Sequence, residues 1–153
     1  MKKLLIIFSA AIIFAGCEKK KDDPVVPSLE VVTNNLVGTY KITAATVTQA
    51  GVNVDVLNNP SYYDPCKKDD IYTLTATTTT TGAYNVNDAT TVCSPTTSYN
   101  GTYSVNTTAK TITLNTTTPT TADVVTITST YFIISQANYM GSGATLKVTY
   151  TKQ

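Results

Sequence analysis

From Gly38 to the end of the chain, apolar and polar side chains alternate in short bursts separated by turn residues. No stretch after Asn35 sustains a 3.6-residue period, so the pattern predicts strands. Tyr40, Ile42 and Ala44 would share one face of a first strand over 38–44, extendable to Val47. A second, over 70–78, places Tyr72, Leu74 and Ala76 on one face, and a threonine run ending at Gly82 forms the turn to a third strand bearing Tyr84 and Val86. Further strands are expected over 101–105, 111–114, 124–128, 131–135 and 145–151. The run at 131–135 is continuously apolar, as a strand buried on both faces would be. Asn106 to Lys110 and Met140 to Gly143 read as turns. Before the first strand, 28–36 allows one helical turn, with Ser28 as its cap. Residues 49–65 form an excursion longer than most connections, the kind often used as a lid or flap.

Even spacing of strands and turns indicates a barrel or a sandwich. A meander of eight strands can close on itself and remove its edges. The expected fold is therefore all-β, an eight-stranded antiparallel up-and-down barrel, with a β-sandwich as the alternative. An immunoglobulin-like sandwich is disfavoured by the missing core Trp and by the closeness of Cys93 to Cys66. Eight strands make a barrel that side chains fill, or that holds one small ligand.

Composition strengthens the strand reading. Threonine makes up about a fifth of the chain, far above ordinary usage, and Thr, Val, Ile and Tyr suit a pleated surface. Phe132 is the only Phe beyond the N-terminal run, so tyrosines supply nearly all the aromatic mass. The net charge of +1 gives no reason to expect nucleic acid as a partner.

The N-terminus departs from this pattern. Lys2 and Lys3 precede an apolar run from Leu4 to Phe14, too short to span a bilayer, then the small residues Ala15 and Gly16, then Cys17. This arrangement resembles the bacterial lipobox, with Phe14 in the place usually held by Leu. The resemblance implies a signal peptide over 1–16, acylation of Cys17, and a membrane partner through the lipid anchor. Glu18 to Asp23 and the prolines Pro24 and Pro27 cannot pack a core, so 17–30 reads as a tether and 31–153 as the domain. Lysines followed by paired acids also resemble surface-export signals of lipoproteins in one Gram-negative phylum. The expected location is the outer membrane, on its periplasmic face or at the cell surface.

Acylation consumes Cys17 and leaves Cys66 and Cys93, whose midpoint falls at the predicted turn beside Gly82. The two thiols would face each other across the open end of a hairpin and oxidise in a secreted chain. Closing a loop of about 28 residues predicts roughly 3–4 kcal/mol of stabilisation.

Several stretches then carry a family resemblance: Leu36-Val-Gly38-Thr-Tyr40-Lys, Cys66-Lys-Lys-Asp69-Asp70 ahead of an alternating strand, Cys93, Gly101-Thr-Tyr103 and the closing Leu146-Lys-Val148. In this order, along most of 36–150, they are similar to bacterial lipocalin-like domains found on lipoproteins. Lipocalins proper have Gly-x-Trp on the first strand, where this chain has Gly38-Thr-Tyr40; the Arg that packs on that Trp and the C-terminal helix have no counterpart. The resemblance implies a calycin-type barrel.

The absence of His excludes Ser-His-Asp and Cys-His machinery. Asp69 and Asp70 are adjacent and would point to opposite faces of a strand, so no enzyme, metal or cofactor is expected. Binding candidates are Tyr40, Tyr72, Leu74, Tyr84, Tyr103 and Ile112 as inward-facing residues, with Tyr62 and Tyr63 in the long loop closing over a ligand or meeting a partner. The expected function is binding of a small hydrophobic or amphipathic molecule by a monomer. The alternative is a surface interaction protein with a filled barrel and contacting loops. A cavity of roughly 300 Å³ or more would favour the first.

Overall fold

The computed structural model describes residues 27–96, 98–139, 141 and 143–153. The expected signal peptide, the acylated Cys17, the tether up to residue 26, and Met140 and Ser142 of the last turn lie outside the described residues.

Among the described residues nine strands follow a short helix, α1 (Thr33–Leu36). They are β1 (Gly38–Gln49), β2 (Val52–Asp55), β3 (Ile71–Ala76), β4 (Thr81–Asn87), β5 (Tyr99–Asn106), β6 (Thr111–Asn115), β7 (Thr120–Ile127), β8 (Tyr131–Tyr139) and β9 (Ala144–Lys152). All pairings are antiparallel, β3 through β9 neighbour one another in sequence order, and β1 pairs with both β3 and β9. These eight close an up-and-down barrel, and β2 lies outside it against the far half of β1. Closure matters because it leaves no open edge on the main sheet.

The second half of β1 corrects the expected pattern. Its register against β9 shifts between Ile42 and Ala44, so Ala45 is buried and Ala44 is exposed. The extra residue of a bulge moves every later side chain to the opposite face and bends the strand. The excursion expected over 49–65 is partly a hairpin, because Ala50 and Gly51 both take positive φ (48° and 79°) and turn β1 back into β2. Gly82 is not in the turn; it lies within β4. The apolar run in β8 is not buried on both faces: Phe132 is buried, while Tyr131 and Ile133 are only half-buried on a barrel wall whose outside meets solvent.

Threonine shapes the turns as well as the strands. Thr78 Oγ1 accepts the amides of Thr80 and Thr81, and Thr128 Oγ1 accepts those of Thr130 and Tyr131. Asn106 does the same for Thr108 and Ala109 through its carbonyl oxygen, in the turn expected there. In each case a short side chain replaces a turn's missing backbone partner.

One end of the barrel is plugged. The segment leading into α1 lies along the end of β7, where Leu29 N–H donates to Ile127 O at 2.7 Å and Ile127 N–H donates to Ser28 Oγ at 3.1 Å. Ser28 therefore ties this segment to the sheet and does not cap α1, whose N-terminal flanking residue is Val32. Thr33 donates its hydroxyl to Thr78 O in the β3–β4 turn. Leu36 is wholly buried among core residues, worth about 1.5–3 kcal/mol by area. This end also carries the β5–β6 and β7–β8 turns. At the other end lie β2, the 56–70 loop and the long β4–β5 connection.

That second end is stapled. Cys66, in a 3₁₀ turn (Pro65–Lys67), and Cys93 form a disulfide with a Cα–Cα distance of 5.4 Å across the open end of the β3–β4 hairpin. Beside it, Asp69 Oδ2 accepts the amides of Thr90 and Thr91, each at 2.9 Å. The amide of Thr91 above all holds the Asp69 carboxyl below the usual range.

Candidate functional site

The barrel interior is built from tyrosines seated on glycines. In the β4–β5 pairing Gly82 faces Tyr103 and Tyr84 faces Gly101. Two Gly-x-Tyr triplets on antiparallel neighbours thus give each ring a bare backbone to lie on. A Cβ at Gly101 would stand 2.6 Å from the Tyr84 hydroxyl oxygen, and one at Gly82 would stand 2.5 Å from a carbon of the Tyr103 ring. An aromatic ring covering a cross-strand glycine pins the register of a curved sheet.

Above this layer is an almost wholly apolar cavity of about 190 Å³. Of the candidate residues, Tyr72, Leu74, Tyr84 and Ile112 line it. Tyr40 and Tyr103 do not; both belong to the packed core. The Tyr40 hydroxyl donates to Leu36 O at 3.0 Å, so it serves the plug, and its ring meets Phe132 edge-on at 4.9 Å. Tyr103 is fully buried, and burial pushes its phenol up to about 12.

The walls also include residues that were not among the binding candidates, notably Tyr99, Phe132, Gln136, Val148 and Tyr150. Phe132 stacks on Tyr150 with centroids 4.6 Å apart, and Tyr150 meets Tyr72 edge-on at 5.3 Å. Such pairs are worth about 0.5–1.5 kcal/mol beyond area burial. The alternation Leu146, Val148, Tyr150 on β9 was a signal for one of these walls. Tyr99 precedes Gly101 in a turn-rich stretch and had no such periodicity around it.

The loop tyrosines part company. Tyr62 is exposed, whereas Tyr63 is half-buried and packs against a satellite core of Ala45, Val56, Leu57 and Val148. The Tyr63 hydroxyl donates to Lys67 O at 3.1 Å and lies close enough to that of Tyr72 for the two phenols to perturb each other. The disulfide-held turn, the loop and the cavity wall are thereby linked. Burial, first among the causes, raises the phenol pKa of Tyr72 and of Tyr150, so both stay neutral well into the alkaline range.

Among the described residues no Lys, Asp or Glu lines the cavity. Asp64 pairs with Lys67 at 2.8 Å on the surface, a contact of little energetic weight. Among the described residues no group of three His, Cys, Asp or Glu side chains could hold a metal ion, and no helix is long and apolar enough to cross a membrane. The arrangement offers shape, aromatic faces and a few neutral hydroxyls. A charged group brought inside would lose its hydration without a partner, at several kcal/mol.

Neither the curated proteins nor the solved structures include a match to this chain. The profile of the lipocalin-like domain matches residues 36–134, from the last residue of α1 to the middle of β8. With a closed eight-stranded barrel, a plugged end and an apolar interior, the chain belongs to the lipocalin-like domain family.

Proposed function

We propose that this protein is a lipid-anchored lipoprotein of the bacterial outer membrane, on the periplasmic face or at the cell surface, whose barrel binds a small uncharged apolar molecule or the apolar end of an amphipathic one. Its role is binding and not catalysis, and it acts as a monomer. The observation that carries the binding role is the cavity of about 190 Å³, in which tyrosines are the sole ionisable wall groups among the described residues. Its volume falls short of the roughly 300 Å³ named above as the mark of the binding reading, yet the barrel is not filled either. The volume exceeds the ~150 Å³ of an engineered apolar cavity that takes up benzene. The occupant is therefore small, or enters only in part.

The anchor rests on Lys2, Lys3, the apolar run and Ala15-Gly16-Cys17. Two or more acyl chains give stable anchoring, at about 0.8 kcal/mol per buried CH₂. Radiolabelled palmitate should enter the wild-type protein and not the Cys17→Ala variant; equal labelling of both would remove the anchor. For the binding role, native mass spectrometry of the purified protein should reveal an added small mass that leaves on gentle activation. A bare mass, with no apolar compound taken up on incubation, would reject it.

A second reading is contact with another macromolecule through the loops. It draws on the exposed Val52, Tyr62, Val92 and Tyr99, all borne on the end of the barrel away from α1. Leu29, Val37 and Val125 are exposed as well but lie elsewhere; apolar side chains that cluster on a surface are a common mark of an interaction site.

A further inference from the structure

The barrel cavity has a neighbour. A second space, of about 270 Å³, lies against Ile42, Ala45, Val56, Ser61 and Tyr63, beneath the 56–63 loop. Leu146, Val148 and Tyr150 line both spaces. These three alternate along β9 and so lie on one face of the strand. The boundary between the spaces therefore includes side chains, which can change rotamer while the backbone stays fixed.

The roof over the second space is built by named contacts. Val56 N–H donates to Ala45 O at 2.9 Å, the Asn58 side chain donates to Asp55 at 2.7 Å, and the amides of Tyr62 and Tyr63 donate to Asn59 O. Among the described residues no Lys, Asp or Glu lines this space either.

We infer that the two spaces are compartments of one binding site, which takes an uncharged alkyl chain longer than the barrel cavity alone can hold, its far end lying beneath the 56–63 loop. The inference rests on the binding role proposed above and extends it to the length of the ligand. On the scale of benzene in a ~150 Å³ cavity, about 25 Å³ per carbon, the barrel cavity takes about seven or eight carbons. The second compartment has room for about ten more on the same scale.

The test is isothermal titration calorimetry of the purified domain with 1-alkanols from hexanol to dodecanol. Each added CH₂ buried should tighten binding about fourfold, and the gain should continue past eight carbons. Two variants fill the second compartment from different walls: Ser61→Trp, from an exposed loop position, and Ala45→Leu, from the buried strand. In each variant that folds, judged by thermal unfolding, the gain should stop near eight carbons while hexanol binds as in the wild type. A wild-type gain that stops at eight carbons would overturn the inference, as would an undiminished gain in folded Ser61→Trp. Both results would leave binding in the barrel standing. Failure of every alkanol to bind would instead remove the binding role and this inference with it.

Discussion

The reciprocal seating of tyrosines on glycines predicts a change of sign. At Gly101 the added methyl of alanine would stand 2.6, 2.7 and 2.9 Å from the Oη, Cζ and Cε1 atoms of Tyr84. Gly101 needs no positive φ; only close approach demands glycine here. Without the ring, Gly101→Ala should stabilise by about 0.4–1 kcal/mol, because alanine restricts the unfolded chain. With the ring in place, overpacking costs about 1–3 kcal/mol. Gly101→Ala should therefore destabilise the wild type by up to about 2.6 kcal/mol, the difference between these effects. In a Tyr84→Leu background it should become neutral or stabilising, since leucine has none of the three atoms concerned.

The assay is urea unfolding followed by circular dichroism for the four members of the cycle, where the coupling should be about 1–3 kcal/mol. A shift of the same size and sign in both backgrounds would refute the steric argument. Gly82 supplies the contrast. Its added methyl would strike the Thr75 carbonyl as well as the Tyr103 ring. Tyr103→Leu should therefore fail to rescue Gly82→Ala, because backbone does not move aside as a ring does.

Other consequences follow from the staple and the titrating groups. Replacing both Cys66 and Cys93 with Ser should cost about 3–4 kcal/mol by loop-closure entropy, read as a lower urea midpoint that no longer responds to reductant. Asp69 and Asp55 have folded-state pKa values lowered by hydrogen bonds, led by the Thr91 amide and by the Asn58 side chain respectively. Their stabilisation is thus full above the ordinary value of 3.8 and is lost as pH falls through the lowered ones. The acid arm of the urea midpoint against pH should flatten in Asp69→Asn. Tyr72 and Tyr150 have raised values, so their contribution is full below pH 10.0 and declines as pH climbs through the raised range. Their tyrosinate absorbance should appear together with loss of the circular dichroism signal, and not before it.

Local chemistry determined much of this molecule without help from the fold. Strands follow from the period-two placement of Tyr, Val, Ile and Thr, because a pleated chain alternates its faces wherever it packs. The Cys66–Cys93 pairing was legible because a hairpin turn midway between two cysteines brings their backbones together. Alternation also separated inward from outward side chains, but it says nothing of height along the barrel axis. Height depends on strand tilt and on the β1–β9 closure, which joins residues about a hundred positions apart. Tertiary structure therefore decided that Tyr72 and Tyr84 reach the cavity while Tyr40 and Tyr103 are spent on the plugged core. It also decided the bulge that turned Ala45 inward in place of Ala44, and the approach of the Tyr63 phenol to that of Tyr72. A bulge bends its strand and so helps a sheet to close, and closure is a property of the whole sheet.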